Sequence, residues 1–198
     1  MCPRLAEYRA ANRKAEPAWH NAPVPSFGPL SAKILIVGLA PGRGGANRTG
    51  RPFTGDYAGD LLYATLLKTG LAKGTYDARP DDGVALSDVR ITNAVRCVPP
   101  ENKPTPEEAK TCGGFLKAEI AAMPNLRVLV SLGRISHEAV LRVLGHRQAA
   151  FPFAHGAVHR LSERLNLADS FHCSRYNTNT GKLTVEMFER VFETIRSL

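Results

Sequence analysis

The residues that could do chemistry collect in three short stretches, and the longest is Gly38–Asp56, GLAPGRGGANRTGRPFTGD. It holds six glycines, two prolines, three arginines and one aromatic ring, Phe53. A glycine-rich loop after an apolar run often cradles phosphate, but a P-loop places Lys and then Ser or Thr directly after its last glycine. Here Arg51 and Pro52 follow Gly50, and the turn opens Gly38-Leu39-Ala40-Pro41-Gly42 without the Gly-x-Gly-x-x-Gly fingerprint. No nucleotide cofactor is expected. A planar ring among backbone N–H groups freed by glycines suits a flat heterocycle, whose face stacks on Phe53 while amides read its carbonyls. Asp56 closes the loop directly before Tyr57, where a carboxylate either caps a helix or faces a ligand; the two roles are compatible.

The other two stretches are Asn93–Cys97 and His172–Asn177, each following its own apolar run. Four cysteines accompany them: Cys2, Cys97, Cys112 and Cys173. No secretory signal opens the chain, so these thiols are expected to be ligands, a nucleophile or buried apolar groups rather than disulfides. The same absence, with no run of about 20 apolar residues, predicts a cytoplasmic protein that does not cross a membrane.

The elements that must position these stretches alternate along the chain. Apolar, β-branched runs predict strands over Lys33–Ala40, Val89–Val95, Arg127–Ser131 and, more weakly, Leu167–His172. Helices are predicted over Tyr57–Thr69, from the Thr105-Pro106-Glu107-Glu108 capping box, over Ile135–Leu144 and over Thr184–Leu198. In the last of these, Met187, Phe188, Val191, Phe192 and Ile195 form an apolar stripe that reads as core. Pro23–Pro29 reads as an extended surface connection and Asp77–Asp88 as a loop. Strand–loop–helix units in succession predict an α/β fold with a short, mostly parallel four-stranded sheet between two helical layers, in one domain over residues 1–198. In such sheets ligands sit beyond the carboxyl ends of the strands, where all three stretches fall.

Charge points to the partner. The 198-residue chain carries 26 Lys and Arg against 18 Asp and Glu, a net charge of +8. Such an excess favours a polyanion through phosphate neutralisation. Arg43, Arg48, Arg51, Arg96, Arg134 and Arg175 lie in or beside loops, as a binding rim would place them.

Together with ITNAVRCVPPENKPTPEEAKTC and FHCSRYNTNTGKLT, the long loop resembles the type 5 branch of the uracil-DNA glycosylase superfamily, in the same order and over nearly the whole chain. The resemblance implies an α/β/α sandwich that flips a damaged nucleotide out of DNA and hydrolyses its N-glycosidic bond. It implies that Gly38, Leu39, Ala40, Pro41 and Gly42 floor the pocket, that Phe53 stacks on the pyrimidine, and that Asn93 bonds the base's Watson–Crick edge. His172 donates to uracil O2 as negative charge builds on the departing base. Ser174, Arg175, Tyr176 and Asn177 press into the minor groove and fill the gap left by the base.

Other branches carry a polar, water-orienting residue just after the first glycine of the loop. Leu39 and Ala40 offer none, so Asp56 becomes the candidate catalytic carboxylate beside His172, and a relaxed base specificity is expected. Uracil opposite guanine leads, with hypoxanthine and hydroxymethyluracil as further candidates, in double-stranded and also single-stranded DNA. A monomer is expected, and no lysine stands in a Schiff-base position for lyase chemistry. The different-class alternative is a lesion-binding module that does not cleave.

In the same family an N-terminal Cys-x-x-Cys pair joins two later cysteines around a [4Fe–4S] cluster. Cys97 and Cys112 match the later pair and Cys2 the second member of the first; Cys173 belongs to the His172 motif. Three readings follow: a first cysteine lying upstream of Cys2, a cluster held by three thiolates and an exogenous ligand, or no cluster. A structural cluster is the favoured one.

Overall fold

A computed structural model describes residues 2–198. In chain order the elements are α1 (Pro3–Ala15), β1 (Ile34–Gly38), α2 (Ala46–Thr49), α3 (Tyr57–Lys68), β2 (Ala72–Lys73), β3 (Ala85–Leu86) and β4 (Val89–Asn93). There follow α4 (Pro106–Ala121), β5 (Val128–Leu132), α5 (Arg134–Leu144), β6 (Val158–Arg160), β7 (Asn166–Ser170), α6 (Arg175–Asn179) and α7 (Val185–Ile195).

The main sheet has the order β4-β1-β5-β7-β6. Four strands are parallel, and β6 runs antiparallel to β7 at the edge. The sheet therefore has five strands rather than the four expected. β6 is three residues long and nowhere buried, so it lacks the apolar alternation that marks a strand in sequence. β2 and β3 pair as a separate two-stranded ribbon, so Asp77–Asp88 is not wholly loop.

Residues of β1 divide between the two faces. Ile34 and Ile36 join a core with Leu62 and Leu66 of α3 and Phe188 and Phe192 of α7. Leu35 and Val37 join a second core with Leu116 of α4 and Val140 and Leu141 of α5. This is the signature of a parallel sheet buried on both sides. The connection Pro23–Pro29 does more than span the surface. Phe27 pairs with Ile91 and Val24 N–H donates to Arg96 O at 2.8 Å, covering the open edge of β4.

α1 carries no sequence signal strong enough to predict it: only Leu5 and Asn12 are buried, and its remaining faces are polar. The capping box forms as expected, Glu108 N–H donating to Thr105 Oγ1 while Thr105 N–H donates to Glu108 Oε2. The register pairs Gly38 with Asn93, and Gly133 N–H donates to Ser170 O, which brings the carboxyl ends of β1, β4, β5 and β7 to one rim.

Candidate active site

The loop after β1 is fixed from beneath. Arg51, expected at an exposed binding rim, is 5% exposed and makes a fork to Asp82, Nη1 to Oδ1 at 2.8 Å and Nη2 to Oδ2 at 2.6 Å. Its partner lies 31 residues away, a pairing that loop placement could not reveal. The guanidinium carbon stands 5.1 Å from the Tyr63 ring centroid, 5.2 Å from Phe27 and 5.7 Å from Tyr76, so the cation is caged by aromatic faces. Arg51 holds the Asp82 carboxyl far below the usual range. Arg51 Nε donates to Thr54 Oγ1 at 2.8 Å and Tyr63 Oη donates to Pro52 O at 2.9 Å. These bonds bracket Phe53, which takes a left-handed backbone, φ 51°, that a non-glycine residue enters only when its surroundings impose it.

Above this anchor is a slot of about 40 Å³ lined by Ala40, Gly42, Phe53, Asp56, Asn93 and His172, with Ala46, Ala58 and Asn102 completing it. Gly38 packs so closely that a Cβ there would meet the Phe53 ring at 2.6 Å and also strike Asn93 Oδ1. Asn93 Oδ1 is buried and has no hydrogen-bond partner among the described residues. A buried acceptor left open costs stability, so its partner is expected to come from a ligand. The Phe53 and His172 ring centroids are 6.0 Å apart. Burial lowers the His172 pKa below the ordinary imidazole range, so the ring is neutral at pH 7 and can donate one N–H.

Asp56 stands where either role its position allowed could be played. It caps α3, accepting from Gly59 N–H at Oδ1 (3.1 Å), and its carboxylate borders the slot. A Cβ at Gly45 would strike Asp56 Oδ2, so that glycine exists to admit the carboxylate. Burial raises the Asp56 pKa against the lowering effect of the cap bonds and Arg48.

Of the five expected floor residues, Ala40 and Gly42 line the slot and Gly38 backs its Asn93–Phe53 wall; Leu39 and Pro41 are not among the lining residues. Asn102 was missed. It sits in a turn after Pro100 at φ 60°, and an asparagine beyond a Pro-Pro pair was the available signal. Ser174, Arg175, Tyr176 and Asn177 form the cap and first turn of α6 beside His172. Tyr176 is 74% exposed, Arg175 lies over the Tyr57 ring at 5.3 Å, and Asn177 Nδ2 donates to His172 O at 2.8 Å.

Cys2, Cys97 and Cys112 face one cavity of about 540 Å³ on the far side of the Ala40 loop, with Arg9 and Arg96 at its border. Arg96 N–H donates to Cys112 Sγ at 3.4 Å. Burial pushes the Cys97 and Cys112 thiols up. Cys173 lies elsewhere, fully buried, with its Sγ on Ala58 O, and cannot join them.

Among the described residues only His137, His159 and Asp169 bring three metal-competent atoms within 4.8 Å. Their valences are taken: His137 Nδ1 meets Asp169 Oδ1 at 2.8 Å and its Nε2 meets Phe151 O at 2.9 Å, while Ser131 Oγ donates to Asp169 at 2.6 Å. This cluster ties β5, α5 and β7 together beneath the rim.

A model of the Uracil DNA glycosylase superfamily matches residues 25–196. The chain is 47% identical to a Type-5 uracil-DNA glycosylase of Thermus thermophilus, over 100% of this chain and 92% of the relative. It is 42% identical to a Type-5 uracil-DNA glycosylase of Pyrobaculum aerophilum, over 96% of this chain and 84% of the relative. Similarity to a Type-4 uracil-DNA glycosylase of Archaeoglobus fulgidus, at 38% identity, covers only 61% of this chain.

Proposed function

The chain belongs to the uracil-DNA glycosylase superfamily, and from that membership we propose that it is a monofunctional DNA-repair glycosylase that removes uracil and leaves an abasic site. The observation that carries the reading is the convergence of Phe53, Asn93, His172 and Asp56 on one slot at the carboxyl ends of the strands.

Each group has a task that its surroundings suit. The flipped base stacks on Phe53, and the open acceptor of Asn93 takes a ring N–H, which favours uracil over bases that present an acceptor there. As the bond between the sugar C1′ and the base nitrogen breaks, its electron pair leaves with the base. Neutral His172 donates to the oxygen where that charge gathers. Water supplies the oxygen that closes on C1′. Asp56 Oδ2, beside the small residues Gly42 and Gly45, orients that water and faces the positive charge on the sugar. The proton released by the water ends on the departed base or in solvent. Arg175, Tyr176 and Asn177 fill the helix from the minor groove while the base is out.

The thiol cavity fits an iron–sulfur cluster. Three cysteines face one space, a backbone N–H already points at one sulfur, two arginines border it, and the sulfurs are not drawn to the close spacing of a single ion. Cys2, Cys97 and Cys112 would hold it, and when bound it supplies structural support, tying α1 and α4 to the strand end behind Ala40. Visible absorption with iron counted per chain tests this; a colourless, iron-free and active protein overturns it.

End-labelled duplexes carrying U·G or hypoxanthine·T, incubated and then treated with alkali, test the activity. Strand breaks at uracil are expected, with hypoxanthine as the second substrate. No break in either duplex, despite retained binding, would leave the lesion-binding module. No described helix is long and apolar enough to cross a membrane. The proposed enzyme is read as a monomer that acts on one lesion at a time.

A further inference from the structure

A second cleft, of about 440 Å³, opens beside the slot and shares His172 with it as a common wall. Its other surfaces include Arg134, Phe153, His155, Phe171 and Lys182. His155 stacks on Phe171 with centroids 5.0 Å apart and planes at 18°. Lys182 Nζ stands 4.9 Å from the centroid of the same Phe171 ring, and the Arg134 guanidinium stands 5.4 Å from that of Phe153. Phe153 and Phe171 are 6.2 Å apart and tilted by 48°. Both cations are solvent-exposed, whereas the three rings are half-buried.

Aromatic faces interleaved with mobile cations are the chemistry of single-stranded nucleic-acid binding: bases stack on rings and Lys or Arg follows the phosphates. Because His172 walls both spaces, whatever enters the cleft lies next to the flipped base. Resting on the glycosylase reading above, we propose that this cleft binds the unpaired base of the nucleotide adjoining the flipped one, and that it sets the enzyme's activity on single-stranded DNA. In a duplex that neighbour stays stacked and paired, so the rings go unused and only Arg134 and Lys182 engage the strand, through its phosphates. In a single strand the neighbour stacks on Phe153 and Phe171, displacing Arg134 and Lys182 toward the phosphates on either side.

The test compares single-turnover cleavage of one uracil-containing oligonucleotide, free and annealed as U·G, by the wild-type protein and by Phe153→Ala and Lys182→Ala. Phe153→Ala is expected to lower the ratio of single-strand to duplex cleavage at subsaturating enzyme by about 10-fold, the loss of one base–aromatic stack. Lys182→Ala is expected to weaken both substrates and reduce the salt slope by about one. A ratio unchanged in Phe153→Ala, whether both rates fall together or neither does, overturns the cleft. Wild-type protein that cleaves neither substrate overturns the glycosylase reading itself, a distinct outcome.

Discussion

The loop Arg51–Asp56 borders the slot through Phe53 and Asp56, the segment Ser174–Thr180 follows His172 beside it, and the two are held in opposite ways. The loop rests on a buried ion pair inside an aromatic cage, with hydrogen bonds to both sides of Phe53. The segment is a single short helix whose largest side chain, Tyr176, stands in solvent and whose bonds are mostly to itself. In the proposed function, recognition is thus assigned to a surface that loses little entropy on binding, because its geometry is already imposed. Insertion into DNA is assigned to a part that can adjust to the groove it enters. On that reading the rigid region chooses the base and the compliant one tolerates the sequence around it.

The strongest way to break the contrast is at its rigid end. Asp82→Ala leaves Arg51 charged and unpaired within its cage, and is expected to cost about 3–5 kcal/mol of unfolding free energy, read from denaturant titration. A loss near that of a surface pair, below about 1 kcal/mol, would mean the loop is no more anchored than the segment. Next in size, His172→Ala is expected to slow single-turnover cleavage by about 100-fold, as for loss of one donor to a developing anion, with melting unaltered.

Asp56→Asn keeps a competent helix cap and removes the charge. It is expected to reduce cleavage by about 10-fold or more while the protein melts no lower. The pH dependence sharpens this. Burial raises the folded pKa of Asp56 above its unfolded value, so its contribution to stability is present at acid pH and lost as pH rises through the folded pKa. Cleavage that needs the carboxylate rises through the same window, above the ordinary value of 3.8. Activity and stability should therefore cross in the wild type. In Asp56→Asn both of these pH-dependent contributions should vanish, as parallel rate and melting profiles would reveal. The smallest effect is expected at the compliant end: Tyr176→Ala should slow cleavage of duplex only a few-fold and change stability by less than about 0.5 kcal/mol.

What the sequence made legible was what local physics decides. The runs around Leu35 and Val130 read as strands because apolar, largely β-branched residues dominate them, those around Ile91 and Leu167 less plainly because Arg90 and Asp169 interrupt them, and Thr105 caps its helix through neighbours three residues on. Asn93, Phe53 and His172 could be placed because they end such runs or fill a loop of distinctive length. What stayed hidden depends on distant partners. Arg51 reads as a loop cation until Asp82 arrives from beyond α3. β6 becomes a strand only because β7 lends it a ladder, and Asn102 reaches the slot only through a turn that Glu101 and Asn102 complete in left-handed conformations. For Asp56 the sequence left two roles open, and the fold brings the cap and the slot to one carboxylate.

The Arg51–Asp82 pair has one more consequence, and it concerns heat. The cost of stripping water from charged groups falls as temperature rises, while the gain from burying apolar surface levels off. The slot is therefore fastened by the kind of contact that warming penalises least. On heating, the half-buried aromatic cleft and the short helix beside it should loosen while the loop Arg51–Asp56 still holds its shape.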